Sequence, residues 1–150
     1  MVLAALTLAL PASLMADAGT QYPGSHVSIS ISRTARANSI VTVTFRGTNA
    51  VFTQGAPITY ALDAFVQARS ALPSCPASYG EELNNYANLG GRSIIKIATG
   101  LNEGVSGPFR IPVKYRSGPT RRIVVCAYSR LITDDAAHAQ LRRTLRPPRR

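Results

Sequence analysis

The stretch Thr120-Arg121-Arg122-Ile123-Val124-Val125-Cys126-Ala127-Tyr128 is the strongest run of β-branched residues in the chain. Residues of this kind favour strands, so the stretch predicts a central β-strand. It also carries one of only two cysteines. The other, Cys75, comes just before the one convincing helical pattern. If the two are joined, a central strand is tied to the start of a helical insertion.

Apolar and polar residues alternate with a period of two in several other stretches, as expected for half-buried strands. In the 109–115 stretch the odd-numbered residues are apolar. Pro112 lies among the cationic residues of the opposite face. Proline cannot donate to a strand ladder, so this strand is expected at a sheet edge or bulge. The other predicted strands cover residues 27–31, 40–45, 58–66 and 94–99.

A helical period replaces the strand period after Cys75. Tyr79, Leu83 and Tyr86 recur at positions i, i+4 and i+7, which places them on one helix stripe. Ser78 and Glu81 have the spacing of a capping box, while Ser74 with Pro76 just inside is a competing start. Gly90 stops the helix in either case. We therefore predict a short helical insertion over about residues 77–89. Its stripe is the expected cover for the outward side chains of the Cys126 strand, Val124, Cys126 and Tyr128.

The segment over residues 136–145 is ambiguous. Locally it has the composition of a capped helix, with Asp134 and Asp135 in the first turn. A sandwich, however, needs a last strand to pair with the Cys126 strand, and tertiary context often overrides propensity. We favour the strand.

The first eighteen residues have the character of a signal peptide. An apolar run ends in Ala16-Asp17-Ala18, whose small residues suit a signal-peptidase site after Ala18. No Lys or Arg precedes the run, so either the true start codon lies upstream or the signal is marginal. Export is consistent with a disulfide between Cys75 and Cys126. We expect no transmembrane segment after cleavage and a secreted or cell-envelope location.

The remaining chain is long enough for one domain, which we assign to residues 19–140. The formal net charge is +10, and its clearest cluster lies at the C-terminus. Residues 141–150 read as a basic, disordered tail because prolines interrupt a block of like charge. Such a cluster would bind anionic wall polymer, lipid or nucleic acid with strong salt dependence. The arginines concerned are Arg142, Arg143, Arg146, Arg149 and Arg150.

Nothing in the sequence indicates catalysis or a cofactor. His26 and His138 lie near opposite ends and match no catalytic motif. A zinc site from these histidines with Cys75 and Cys126 lacks the close ligand spacing of such sites. A calcium site from Asp63, Glu81 and Glu82 lacks the loop pattern, and adjacent helix acids normally face solvent. We expect no metal, no cofactor and no enzymatic activity.

The chain resembles secreted bacterial immunoglobulin-like or fibronectin-III-like domains of unassigned role. The resemblance rests on Cys75-Pro76-Ala77-Ser78-Tyr79, on Gly107-Pro108-Phe109 and on the Cys126 strand, and covers roughly residues 27–140. It implies a mainly β fold, an antiparallel Greek-key immunoglobulin-like sandwich. The antibody-type core Trp is absent, so the resemblance implies architecture and no binding residues.

Two functions follow as expectations. The first is a secreted, non-enzymatic module with a structural or binding role in the cell envelope or outside the cell. The second is polyanion binding through the Arg-rich tail, with an anionic envelope polymer as partner. Specific nucleic-acid recognition is not expected, because the tail has no interleaved aromatic residues for base stacking.

Overall fold

The computed structural model describes residues 22, 24–50, 59–91, 93–132 and 134–149. The expected signal peptide, residues 1–18, and Ile58 of the third predicted strand lie outside these residues. Within them the chain forms seven strands and one helix: β1 His26–Ile31, β2 Ile40–Asn49, β3 Tyr60–Ala68, α1 Tyr79–Leu89, β4 Ile94–Gly104, β5 Gly107–Arg116, β6 Arg122–Arg130 and β7 Asp135–Thr144.

The strands form two antiparallel sheets. The order is β1-β2-β5 in the three-stranded sheet and β4-β3-β6-β7 in the four-stranded sheet. Strand β6 is central, between β3 and β7, as its β-branched sequence predicts. Strand β5 is an edge, with Pro112 opposite Thr44 of β2, so the edge position expected from Pro112 is confirmed. The mainly β prediction with one short helix is confirmed.

The main hydrophobic core lies between the two sheets. Because strand residues alternate between faces, β6 contributes Ile123, Val125 and Ala127 to this core, as its pattern predicts. The three-stranded sheet supplies Phe45, and Val113 from its edge strand. Other members include Val41, Val43, Leu62, Ala64, Val66, Tyr115 and Leu145.

A second core covers the other face of the four-stranded sheet. Val124, Cys126 and Tyr128 of β6 are fully buried there together with Phe65 of β3. The helix α1 covers them with side chains from one stripe, as expected. Tyr79 and Tyr86 pack on this cluster, with ring centroids 6.1 and 5.8 Å from Phe65.

Two helix residues differ from their predicted positions. Leu83, expected in the covering stripe, is 39 % exposed. Glu82, expected at the surface, is fully buried. The helix is therefore rotated about its axis relative to the predicted stripe. Its inner face carries Tyr79, Glu82 and Tyr86, which recur at intervals of three and four residues. The helix begins at Tyr79, with Ser78 as its N-cap, and ends at Leu89.

The disulfide between Cys75 and Cys126 is present, with the two Cα atoms 5.6 Å apart. It joins the segment before α1 to the middle of β6. Two hydrogen bonds act beside it: the Tyr128 hydroxyl donates to the Pro76 carbonyl at 3.0 Å, and the Cys75 amide donates to the Gln140 side chain at 3.1 Å. The start of the helix is thus fixed to the sheet by covalent and polar contacts.

The C-terminal segment is a strand, not a helix. Strand β7 pairs with β6 along nearly its whole length, with Leu141 opposite Val125 and Arg143 opposite Ile123. This corrects the boundary of the predicted disordered tail, since residues 141–144 belong to β7 and Leu145 is buried. The reason is that β6 would otherwise leave its backbone groups unpaired along one side.

Removing the disulfide should lower the free energy of unfolding by about 4 kcal/mol, because the bond closes a long loop in the unfolded chain. The test is urea unfolding of Cys75→Ser/Cys126→Ser beside the wild-type protein. Reductant should lower the urea concentration at which half of the wild-type protein is unfolded. It should not change this midpoint for the double variant. Equal stability of the two proteins would show that the disulfide does not stabilise this fold.

Candidate functional site

The residues considered for metal binding do not come together. His26 and His138 are exposed on β1 and β7, and both cysteine sulfurs are consumed by the disulfide. The His138 ring instead stacks on Tyr128, with centroids 6.4 Å apart. Across the described parts of the chain, no group of three or more His, Cys, Asp and Glu side chains could hold a metal ion.

Asp63, considered for calcium, is buried in a polar cluster on the helix side of the four-stranded sheet. Its carboxylate pairs with Lys96 at 3.2 Å and with Arg130 at 2.6 Å. Gly100 donates its amide to the same carboxylate at 3.3 Å. Glu81 is exposed and Glu82 is buried elsewhere under the helix, so the three acids of the calcium set are not assembled.

The same cluster holds the first turn of α1. The guanidinium carbon of Arg130 lies 3.9 Å from the Tyr79 ring centroid, a cation–π contact. Lys96 donates to the Tyr79 hydroxyl at 3.1 Å, and the Tyr79 amide donates to the Asp135 carboxylate at 2.7 Å. Because these charged groups pair with one another and with the first turn of the helix, the cluster acts as a structural anchor.

Two other carboxyl groups are buried without full hydrogen bonding. Neither oxygen of Glu82 has a hydrogen-bond partner among the residues that the structure describes. Burial raises the pKa of Glu82 to about 7 against the opposing effect of the nearby Tyr128 hydroxyl. Glu103 accepts from the Ser129 hydroxyl at 2.6 Å. Burial raises the pKa of Glu103 to about 7, while the hydrogen bond from Ser129 opposes the shift.

A different site forms at one end of the molecule. The β1–β2 turn, the β5–β6 turn and the chain after β7 meet there through backbone hydrogen bonds. Arg146 donates its amide to Ala35 and accepts from Ala37, both at 2.9 Å. Leu145 donates to Arg121 at 2.8 Å. We call this region the basic end, defined by residues 32–39, 117–121 and 145–149.

Arg36 is held at the centre of the basic end. Its guanidinium donates to the Pro147 carbonyl at 2.9 Å, and its own carbonyl accepts from the hydroxyls of Ser39 at 2.8 Å and Ser117 at 3.0 Å. Asn38 in the same turn adopts a φ of 54°, a left-handed conformation that Asn tolerates better than most residues. The turn that carries Arg36 is therefore fixed by its own hydrogen bonds.

An open cleft of about 910 Å³ lies against this turn. Three arginines line it, Arg36 from the turn and Arg146 and Arg149 from the chain after β7. Hydroxyl and amide groups complete the polar lining. The other lining residues are Ser32, Thr34, Ala35, Ala37, Asn38, Ser39, Ile40, Val41, Thr42 and Pro148. We call it the basic cleft.

No described carboxylate neutralises the basic cleft. The ion pairs of the described residues both use Asp63, and Asp63 is on the helix side of the other sheet. Guanidinium groups hold oxyanions through paired N–H donors. Three of them around one open cleft, with hydroxyl donors between, can bind phosphate, sulfate or carboxylate groups.

The five tail arginines do not act as one cluster. Arg146 and Arg149 line the basic cleft, and Arg150 lies outside the described residues. Arg142 is on β7, where it donates to the Pro73 carbonyl at 3.2 Å beside the helical insertion. Arg143 is a half-buried residue of the same strand. The sequence analysis did not single out Arg36. A signal was present, since residues 19–61 contain three arginines and no Asp or Glu.

Comparison with protein-family models, with curated proteins and with solved structures finds no match for this chain. In the described part of the chain, no helix is long and apolar enough to cross a membrane.

Replacing Asp63 with Ala should lower the free energy of unfolding by about 3 to 5 kcal/mol, because Lys96 and Arg130 would remain mostly buried without their counter-charge. Their side chains are only 17 % and 19 % exposed. The measurement is urea unfolding at neutral pH. Glu81→Gln, at an exposed helix position, is the matched control and should cost less than about 1 kcal/mol. A similarly small effect for Asp63→Ala would contradict a structural role for the cluster.

Stability should fall as the pH rises from about 5 to about 8, by about 2 to 3 kcal/mol for each of Glu82 and Glu103. Their pKa values are raised in the folded protein, so the folded state binds more protons than the unfolded chain, and this contribution is lost as the pH passes through 7. Unfolding of Glu82→Gln/Glu103→Gln across this range should show a flatter pH profile. Glu81→Gln should keep the wild-type slope, and an equally steep slope in the double variant would refute the assignment.

Proposed function

We propose that this protein is a non-enzymatic β-sandwich module that binds an anionic polymer at the basic cleft, in the cell envelope or outside the cell. The observation that carries the proposal is the convergence of Arg36, Arg146 and Arg149 from distant parts of the chain on one open cleft. Cationic side chains that lack a counter-charge inside the protein attract external anions. Binding is favoured because the counterions of the polyanion are released.

The fold supports a binding module of immunoglobulin-like type. We propose that the two sheets have Greek-key connectivity, since β2 pairs with β5 and β3 pairs with β6, so that two strand pairs are interlocked across the core. The strand orders β1-β2-β5 and β4-β3-β6-β7 support a fibronectin-III-like arrangement. In this scheme the helical insertion between β3 and β4 is an addition to the common frame.

An extracellular or envelope location is supported by the disulfide. Such bonds persist in oxidising compartments and are rare in the reducing cytosol. The signal-like residues 1–18 of the sequence point in the same direction. The polyanions of that location include wall polymers, whose negative groups can pair with the arginines of the basic cleft.

A non-enzymatic role is supported by the placement of the titratable groups. Glu82 and Glu103, the carboxyls with strongly raised pKa values, are enclosed in the interior and do not line the basic cleft. The lining offers donors for oxyanions but no carboxylate or histidine to act as a base.

Removing the cleft charges should weaken retention on an immobilised anionic polymer. We expect Arg36→Gln/Arg146→Gln/Arg149→Gln to elute at lower salt than the wild-type protein. In solution, the slope of the logarithm of the binding constant against the logarithm of salt concentration should shrink by about 2 to 3, as three ion contacts are lost.

The control is Arg69→Gln/Arg122→Gln/Arg142→Gln, which removes the same charge away from the cleft. Arg122 and Arg142 alternate with the core-facing residues of β6 and β7 and lie on the helix side of their sheet. This variant should keep most of the salt dependence. If both triple variants lose binding equally, the effect is one of net charge and the cleft assignment fails.

A further inference from the structure

The outer face of the three-stranded sheet is unusually cationic. Val43 and Phe45 of β2 and Val113 of β5 face the core, so their alternate neighbours face outward. Those outward positions carry Arg46 on β2 and three cations on β5, all exposed. We call this set the cationic face, consisting of Arg46, Arg110, Lys114 and Arg116.

The cationic face contains no acid. Neither β1, β2 nor β5 has an Asp or Glu in its sequence, and none of the four cations forms an ion pair with a described carboxylate. Arg46 and Arg110 are direct cross-strand partners, and like charges at such positions destabilise a sheet. No described carboxylate offsets this repulsion within the protein. Such an arrangement is expected of a surface that binds an external anion.

The cationic face continues into the basic cleft. Thr42 and Ile40 line the cleft, and in the sheet register they lie directly opposite Lys114 and Arg116. From Arg110 to Arg116 the strand advances about 20 Å at the usual rise per residue. The cations thus form one track that starts on the sheet and ends at the arginines of the cleft.

The side chains of this track identify the kind of anion. Its outward neighbours include four small hydroxyl residues, Ser28, Ser30, Thr42 and Thr44, beside the apolar Ile40 and Pro112. The aromatic residues of β5, Phe109 and Tyr115, pack toward the core. Bases of single-stranded nucleic acid need aromatic platforms for stacking. Arginine and hydroxyl groups instead suit a sugar backbone that carries regularly spaced anionic groups.

Resting on the proposed function of the cleft, we infer that the cationic face is an extended binding track for a linear anionic glycan. The glycan lies along β5 and β2 and enters the cleft at one end. A short fragment fills the cleft alone, whereas a long one also contacts the cationic face. Affinity for the glycan therefore increases with its length until the track is filled.

The test compares a sulfated disaccharide with a sulfated dodecasaccharide by isothermal titration calorimetry. The outer-face variant is Arg46→Gln/Arg110→Gln/Lys114→Gln. It should lose about tenfold or more in affinity for the dodecasaccharide, through the loss of several charge contacts, and bind the disaccharide as the wild-type protein does. The charge-matched control Arg69→Gln/Arg122→Gln/Arg142→Gln should keep the preference for the longer glycan. Thr44→Lys, which adds a cation to the face, should strengthen dodecasaccharide binding alone.

The outcomes separate this inference from the proposed function. If the wild-type protein binds neither glycan, the function of the cleft is refuted together with the track. If both glycans bind with equal affinity and the outer-face variant has wild-type affinity for each, binding at the basic cleft is supported and the extended track is refuted. If a single-stranded oligonucleotide of equal charge or an anionic vesicle binds more tightly through the same residues, the assignment to a glycan is overturned.

Discussion

Coverage of the four-stranded sheet on both faces is the constraint on which the rest of the structure depends. Strand β6 is apolar on both sides, so Val124, Cys126 and Tyr128 would expose a costly patch without α1. The bond between Cys75 and Cys126 fixes that cover in place. Among the described residues no helix packs on the three-stranded sheet, and the strand residues of its outer face are largely exposed to solvent.

The placement of the acids makes that free surface basic. Asp63 neutralises two cations inside the fold, Asp135 accepts from the first turn of the helix, and Glu82 and Glu103 are buried. Few carboxylates remain to pair with the rest of the 17 Lys and Arg residues. The excess cations gather on the basic end and the cationic face, where an external polymer can supply the missing charge.

Local patterns predict the strands, the helix and the disulfide, because alternation, capping and cysteine count are properties of short stretches. The features that short stretches alone do not decide depend on distant partners. The 136–145 segment is a strand because it pairs with β6, although its local composition favours a helix. Helix rotation on the sheet decides that Glu82 is buried and Leu83 is exposed. The meeting of Arg36 with Arg146 arises from a bridge between the two ends of the chain, and no sequence spacing indicates it.

Amide chemical-shift changes during titration of a long sulfated glycan into the isotopically labelled protein test the anion-binding surface most directly. If the basic cleft and the cationic face hold the glycan, shifts appear in residues 32–46, along β5 and in residues 145–149, with little change in α1 or at the start of β7. Shifts centred on α1 and β7, or spread evenly over all exposed arginines, would contradict a built anion-binding surface.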